Sequence, residues 1–329
     1  MNATAATALP GRGPLTVIAP DASRWERLVY SVQTRASRWA WPRLAWLNRI
    51  GARVTVRDLF STPGDTLVTA ILCRHLKQRW PRLRLNCVTR NPDLLTHDPH
   101  LDELNGPLGL FVADFWYLDI QQRRDKHTHI LARSLAMLGL AGAEYRARVY
   151  LTEAERAAAR ARLAGIPAPR LSLNTLSAFP VKNWPLEKWQ AILPELARRG
   201  ALVQLGDDRE PDFPGALRLA GQLSRRESLA VLGECAVHLG PDSFLMHGAN
   251  GLDVPSVIIY GGSRTPANLG YAANRNLYTE MACSGCWLSG LPGSECPYGL
   301  ACMEAISPAM VLAAVDELLA QPRPVATSE

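Results

Sequence analysis

The sequence lacks most of the features that would place it in a specialised class. No apolar run approaches the roughly 20 residues that a membrane-crossing helix needs. The N-terminus has no basic region followed by a continuous apolar segment, so no secretory signal is expected. Cysteine is sparse and odd in number: there are seven, mostly gathered late in the chain. That does not resemble a disulfide framework, and a cytoplasmic protein is expected. No internal repeat of about 20 to 50 residues is visible. Charged residues at 20% and hydrophobic residues at 47% leave no room for a disordered chain.

What remains is a globular chain of 329 residues, too long for one ordinary core and suited to two domains of about 150 residues each. Its net charge of +6 suits anionic ligands, whether nucleotide diphosphates, phospholipid surfaces or nucleic acid.

Residues 1–50 read as a basic, tryptophan-rich extension. Residues 15–19 have the pattern of a short strand. Residues 24–49 interleave six arginines with Trp25, Trp39, Trp41 and Trp46. That mixture suits a membrane interface, giving a peripheral contact with the inner membrane face. It equally suits a helical extension packed on the first domain, and Pro42 interrupts any continuous amphipathic helix.

From residue 51 strand and helix patterns alternate. Residues 53–57, 83–88 and 108–113 read as strands, with helices over 66–79 and 125–138. A helix over 152–164 and a linker at 165–169 follow. The alternation restarts with strands at 170–174, 201–205, 236–239 and 256–260, and helices at 185–198, 224–232, 243–250 and 308–319. This predicts an α/β fold of two Rossmann-like, doubly wound units. Their bounds are 51–165 and 166–320, with a tail at 321–329.

Ligands of open α/β sheets bind outside the carboxyl ends of parallel strands, so polar residues there are the candidates. Asp65 lies in the turn Pro63-Gly64-Asp65 between a strand and a helix. It can cap the helix, or take a proton from an attacking hydroxyl. Lys182 lies in the loop after strand 170–174. It is either a solvated lysine or the cation for a departing diphosphate. Asp242, Ser243 and His247 follow another strand, where they form a cap with a core histidine or hold sugar hydroxyls and phosphate oxygens. After strand 256–260, Gly261 and Gly262 let backbone N–H groups approach an anion, and Ser263 and Thr265 extend that loop. Gly206-Asp207-Asp208 follows strand 201–205 and points to the base or ribose of a nucleotide.

These segments carry a resemblance. Pro63-Gly-Asp-Thr-Leu-Val-Thr-Ala-Ile-Leu-Cys-Arg-His-Leu-Lys77 resembles the Gly-Asp loop and first helix of glycosyltransferase family 9, the ADP-heptose type heptosyltransferases. Asn91-Pro-Asp-Leu-Leu-Thr-His-Asp-Pro-His-Leu-Asp102 resembles the segment after that family's second strand. Lys182-Asn-Trp-Pro185 matches its Lys-x-Trp-Pro element, and Gly240-Pro-Asp-Ser-Phe-Leu-Met-His247 its Asp-Ser/Thr-x-x-x-His element. Cys283-Ser-Gly-Cys286, Cys296 and Cys302-Met303 match a cysteine pattern of many members. The likeness spans about residues 52 to 320. Two departures stand out: Phe244 replaces a common glycine, and the Gly-x-Thr-x-Pro loop matches 261–266 only with one inserted residue.

The resemblance implies a GT-B architecture, with an N-terminal acceptor domain, a C-terminal donor domain and a cleft between them. It implies inverting transfer of a sugar, heptose first, from a nucleotide diphosphate. The acceptor is a hydroxyl of lipopolysaccharide core, another envelope glycan or a protein; nucleic acid is not an expected partner. Asp65 would be the base and Lys182 the leaving-group cation. Asp242, Ser243 and His247 would clamp the donor, with Gly261, Gly262, Ser263 and Thr265 around its phosphates. The Asp-x-Asp pair through which many such enzymes hold a divalent ion is missing. Metal-independent catalysis without a cofactor is therefore expected.

The spacing Cys283-x2-Cys286-x9-Cys296-x5-Cys302 puts four thiols in the Gly/Pro-rich segment 283–302. Four thiolates can close a tetrahedral site for zinc or iron; alternatively the segment holds reduced thiols or labile disulfides. A structural ion is expected, because such a loop is poorly ordered without a staple. Two rival functions remain at this level. One is a non-catalytic metal-binding protein built on these cysteines, and the other a peripheral membrane scaffold using residues 24–49.

Overall fold

The computed structural model describes residues 40–115, 117, 120–121, 124–288 and 296–321. The strand expected at 15–19 and most of the tryptophan-rich stretch lie outside the described residues. Helix α1 (Ala40–Arg49) buries Leu44 and Leu47. Pro42 is accommodated in its first turn, where a missing N–H costs no helical hydrogen bond.

The first sheet is built from β1 (Arg53–Asp58), β2 (Arg84–Val88), β3 (Glu103–Leu104) and β4 (Phe111–Phe115), with α2 (Pro63–Arg79) following β1. Its strand order is β3-β2-β1-β4, all parallel. Helix α2 starts three residues before the expected position. Thr62 is its cap, accepting a hydrogen bond from the Asp65 amide, and Pro63 opens the first turn. Asp65 is thus not the cap but a first-turn carboxylate. The strand expected at 108–113 begins at Phe111, because Gly109 passes directly over β1: a Cβ there would lie 2.2 Å from the Arg53 carbonyl oxygen. The helix expected over 125–138 shrinks to α3 (Ala132–Met137). The Asp125 carboxylate accepts from the His127 and Thr128 amides and the Thr128 hydroxyl, a local turn that competes with helix.

Helix α4 (Glu153–Arg162) opens on a capping box between Thr152 and Glu155. The second sheet follows as β5 (Arg170–Leu173), α5 (Leu186–Arg199), β6 (Ala201–Gln204), β7 (Leu217–Arg218), α6 (Arg225–Gly233), β8 (Val237–Pro241), α7 (Phe244–Gly251), β9 (Ser256–Ile259), α8 (Pro266–Leu269) and β10 (Arg275–Leu277). Helices α9 (Ala301–Glu304) and α10 (Pro308–Leu319) close the described chain. The order is β10-β9-β8-β5-β6-β7, again all parallel. One face is covered by α5 and α10, through Trp189, Ile192, Leu196, Val311 and Val315. The opposite side shares a continuous apolar core with the first sheet. There α2 packs on α7 and α4 on α6.

Each sheet has one place where the chain reverses its direction of winding. In the first it falls between β1 and β4, and in the second between β5 and β8. A crevice opens outside the strand ends at such a switch point.

Candidate active site

The loops leaving the two switch points meet across the seam between the sheets. After β1, the half-buried Asp65 accepts a hydrogen bond of 2.6 Å from the Thr62 hydroxyl on Oδ2. After β4, Tyr117 donates to Asp65 Oδ1 at 3.1 Å. Burial raises the proton affinity of Asp65, and Arg264, the two hydroxyls and Lys182 oppose it; burial prevails and the pKa lies above the ordinary value. Tyr117 stays protonated, since burial and the neighbouring Asp65 push its pKa far up. Beneath this loop the buried Asp58 accepts from the Ser61 amide and the Thr66 and Thr89 hydroxyls, which fixes the approach to α2.

The second switch point supplies charge of both signs. Lys182 follows β5 and Asp242 follows β8, and both are buried. Lys182 Nζ stands 2.9 Å from Asp242 Oδ2, and Arg264 Nη1 is 3.6 Å from the same oxygen. Burial alone would protonate Asp242, but Lys182 and then Arg264 outweigh it and hold the carboxyl below its ordinary pKa. Burial lowers the pKa of Lys182, with Asp242 resisting. The Ser243 hydroxyl at the start of α7 is buried without a hydrogen-bond partner among the described residues. Buried orphan polar atoms are rare and call for an absent ligand or water.

His247 faces the seam. Its Nδ1 lies 2.7 Å from the Tyr271 hydroxyl. A Cβ on Gly64 would meet its Cδ2 at 3.0 Å. Burial pushes its pKa down to about 4, Asp242 opposing and Lys182 and Arg264 assisting, so the ring is neutral at pH 7. Gly64 therefore lets the first turn of α2 ride over an uncharged imidazole.

The loop after β9 is shaped by backbone contact. A Cβ on Gly262 would lie 1.2 Å from the Val181 carbonyl oxygen, so this glycine allows the loop to lie against the turn that carries Lys182. Ser263 is buried, its carbonyl accepting from the Trp287 amide. The Thr265 hydroxyl donates to the Lys126 carbonyl at 2.6 Å, and the Thr265 amide is capped by Asn268. Within this loop, Thr265 ties the second unit to the first. Glu210 anchors the neighbouring strand end, accepting from the Thr175 amide and hydroxyl and the Leu176 amide. Gly206, at φ 123°, makes room for it, and Asp207 pairs with Arg209 at the surface.

The cysteine segment lies behind the same loop. The Gly285 amide donates to the Gly261 carbonyl, and the Cys286 thiol to the Gly262 carbonyl. All four thiols are free, and Cys283, Cys286 and Cys296 lie close enough to Cys302 to oppose its ionisation. Burial and then Cys283, Cys286 and Cys296 push Cys302 up to about 11. A cation would relieve that repulsion, so the donor set suits a thiophilic ion. Their spacing makes no coordination shell: among the described residues no group of three or more His, Cys, Asp or Glu could hold a metal.

Sequence reasoning missed Tyr117 and Arg264. Tyr117 follows an unremarkable strand. Arg264 fell between the small residues of a glycine loop, where its signal was a cation next to two glycines at a strand end.

Two all-parallel sheets with opposed switch points, joined by an Asp, Lys, Arg and Asp cluster, form an α/β fold of GT-B architecture. The profile of glycosyltransferase family 9 (heptosyltransferase) matches residues 116–284, and the chain belongs to that family. No curated protein matches the sequence. Among solved structures, a family 9 glycosyl transferase from Veillonella parvula DSM 2008 is similar at 17% identity, covering 82% of this chain and 97% of its own, with a TM-score of 0.62. The E. coli ADP-heptose LPS heptosyltransferase II is similar at 15% identity, covering 81% and 98%, with a TM-score of 0.56. The iron-containing dodecameric glycosyltransferase TibC of enterotoxigenic E. coli H10407 is similar at 18% identity, covering 82% and 76%, with a TM-score of 0.65.

Proposed function

We propose that this glycosyltransferase moves a heptose from an ADP-type nucleotide diphosphate to a hydroxyl of an envelope glycan, lipopolysaccharide foremost, with inversion and without a catalytic metal. The observation that carries the reading is the opposition of Asp65, on one switch point, to the Lys182–Asp242 pair on the other. The first unit then receives the acceptor and the second the donor. The acceptor oxygen attacks the anomeric carbon as its proton passes to the Asp65 carboxylate. The bond from that carbon to the diphosphate oxygen breaks, and the nucleotide leaves with the electron pair. A raised proton affinity makes the Asp65 carboxylate a better acceptor for that proton. Lys182 meets the charge developing on the leaving phosphate. Asp242, kept ionised, accepts hydrogen bonds from the donor sugar. The orphan Ser243 hydroxyl and the α7 amides take phosphate oxygens, and His247 orders this clamp from the seam. A base and a leaving-group cation on opposite sides of the reacting carbon favour a single in-line displacement. A TibC structure is described in complex with ADP-D-β-D-heptose, which supports this donor class.

Incubation with ADP-D-β-D-heptose and heptose-deficient lipopolysaccharide, followed by NMR of the product, tests this directly. An α-linked heptose in the presence of excess chelator is expected. A β-linked product, a requirement for added divalent ion, or no transfer contradicts the reading.

The four cysteines support a second, separate reading: Cys283, Cys286, Cys296 and Cys302 close on one structural zinc or iron ion. The mutual repulsion of the thiols favours it, and an iron-containing relative of the same fold agrees. Such an ion would stabilise the segment and leave the reaction to the side chains above. About one equivalent of metal per chain, lost together with melting temperature in Cys286→Ser, is expected by elemental analysis. Well under one equivalent refutes the site.

A further inference from the structure

One largely buried charge has no task in the reading proposed above. Arg264 is buried in the seam, its side chain only 12% exposed. Its guanidinium carbon lies 5.1 Å from the centre of the Trp287 ring and 5.4 Å from that of Tyr117, and the two ring centres are 6.3 Å apart, so the aromatics flank it at a corner. Of its five N–H groups, one is donated by Nη2 to the Tyr117 oxygen at 3.2 Å. Nη1 reaches Asp242 only at 3.6 Å, and Nε has no partner among the described residues. A buried guanidinium ordinarily forks onto a carboxylate or phosphate with two parallel hydrogen bonds. Here the fork is unfilled.

The charges around it say what fills it. Lys182 and Arg264 both approach the same oxygen of Asp242, at 2.9 and 3.6 Å. Both cations lie at the second switch point, with the Asp65 carboxylate facing them from the first unit, and the buried Ser243 hydroxyl is also unpaired among the described residues. The two neighbouring rings put apolar surface beside the cation, which strengthens its interaction with an incoming anion.

The cysteine segment sets this arrangement. Trp287 follows Cys286 directly; its amide donates to the Ser263 carbonyl and its indole N–H to the Asp125 carbonyl at 2.9 Å. Its backbone is left-handed, φ 56°, a conformation that a tryptophan adopts only when its surroundings enforce it. The segment thus places the ring against Arg264 at the expense of local strain.

The geometry points to Arg264 as a second leaving-group cation, which grips the donor diphosphate together with Lys182 and is held in place by Tyr117 and by Trp287 of the cysteine segment. This rests on the donor reading above. Donor binding transfers the guanidinium from Asp242 to phosphate oxygens and frees that carboxylate for sugar hydroxyls. No bond to Arg264 is made or broken in the transfer.

The test is calorimetric. The tightest-bound of ADP, GDP and UDP is compared with its own monophosphate, for the unmodified protein, R264Q, R264K and W287F. The unmodified protein should prefer the diphosphate. R264Q should lose about ten- to a hundredfold in diphosphate affinity and less than about threefold in monophosphate affinity. R264K, which keeps the charge, should recover part of the preference, and W287F should lose part of it. With a transferable donor, R264Q should lower kcat more than it raises donor KM, since the charge it meets grows in the transition state. An undiminished diphosphate preference in R264Q overturns the proposal, as do equal losses for both nucleotides in R264Q and R264K, the mark of a structural bridge. If the unmodified protein shows no diphosphate preference at all, the donor reading falls with it.

Discussion

Asp65 and Asp242 each follow a strand that borders the switch point of its own sheet, and their surroundings drive them in opposite directions. Each is penalised by burial. Around Asp65 the compensation is modest: two hydroxyls and cations that belong to the other unit, and the pKa rises. Around Asp242 an ammonium at 2.9 Å and a guanidinium at 3.6 Å overcome burial, and the pKa falls. One carboxylate is therefore prepared to accept a proton, the other to remain an anion. A divergence of this kind between paired carboxyl groups assigns roles that fold alone does not.

The largest effect should come from removing the proton acceptor. Asp65→Asn keeps the shape and the Tyr117 contact, so folding should survive. Turnover should drop by about 10² to 10⁴. Near-normal turnover by a folded variant breaks the distinction between the two aspartates. In the unmodified enzyme the acid limb of kcat/KM should fall above the ordinary Asp value of about 3.9, with activity lost as pH drops through it.

Next in size is the anion. Asp242→Ala leaves Lys182 buried without its closest carboxylate, and truncating one member of a buried pair costs about 3 to 5 kcal/mol. Both the melting temperature and the affinity for intact sugar donor should fall, whereas Asp65→Asn should leave both near normal. Melting curves and donor titrations of the two variants side by side would expose any error here.

A smaller effect is expected from Gly262→Ala. The added methyl meets the Val181 carbonyl, and the loop must shift away from the turn bearing Lys182. Overpacking of this kind costs about 1 to 3 kcal/mol. Donor KM should rise alongside, since Lys182 is displaced; an unchanged KM means that the loop does not position the lysine.

The smallest is a pH effect on stability. His129 and His238 are pushed down to about 3 and His247 to about 4, chiefly by burial. Their folded pKa values lie below the unfolded value of 6.5, so the unfolded chain binds more protons below that pH. Stability is full above about 6.5 and declines as pH falls toward about 3. Asp58, raised to about 6 by burial, works in the opposite sense between 6 and 3.8, as do the raised Asp65 and Glu210, but the three imidazoles act over a wider span, from 6.5 down to about 4 or 3. Scanning calorimetry should give a lower melting temperature at pH 5 than at pH 7.5, and a flat profile contradicts neutral burial of these rings.

Much of this was legible in the sequence because strand ends mark ligand sites in parallel sheets. The alternation after residue 51 placed β1, β5, β8 and β9 within one or two residues, and hence the loops of Asp65, Lys182 and Asp242. Strands of two or three residues such as β3, β7 and β10 leave no periodicity to read. The stretch 125–138 has helical spacing, yet Asp125 satisfies the local amides and most of the helix is lost. Gly262 looked like a phosphate-approach glycine, and its tightest constraint is a carbonyl of its own chain. Tyr117 and the particular contacts of Arg264 went unread for another reason: each owes its place to a partner more than 50 residues away in sequence, and spacing cannot encode such a contact.

The claim that proton acceptance and donor binding reside on opposite switch points is tested most directly by titrating ADP into the unmodified protein, Asp65→Asn and Lys182→Ala. Asp65→Asn should bind ADP at least as tightly as the unmodified protein, since it loses a negative charge facing the phosphates. Lys182→Ala should bind about tenfold or more weakly. Equal losses in both variants, or no binding of ADP to any of the three, would contradict the account.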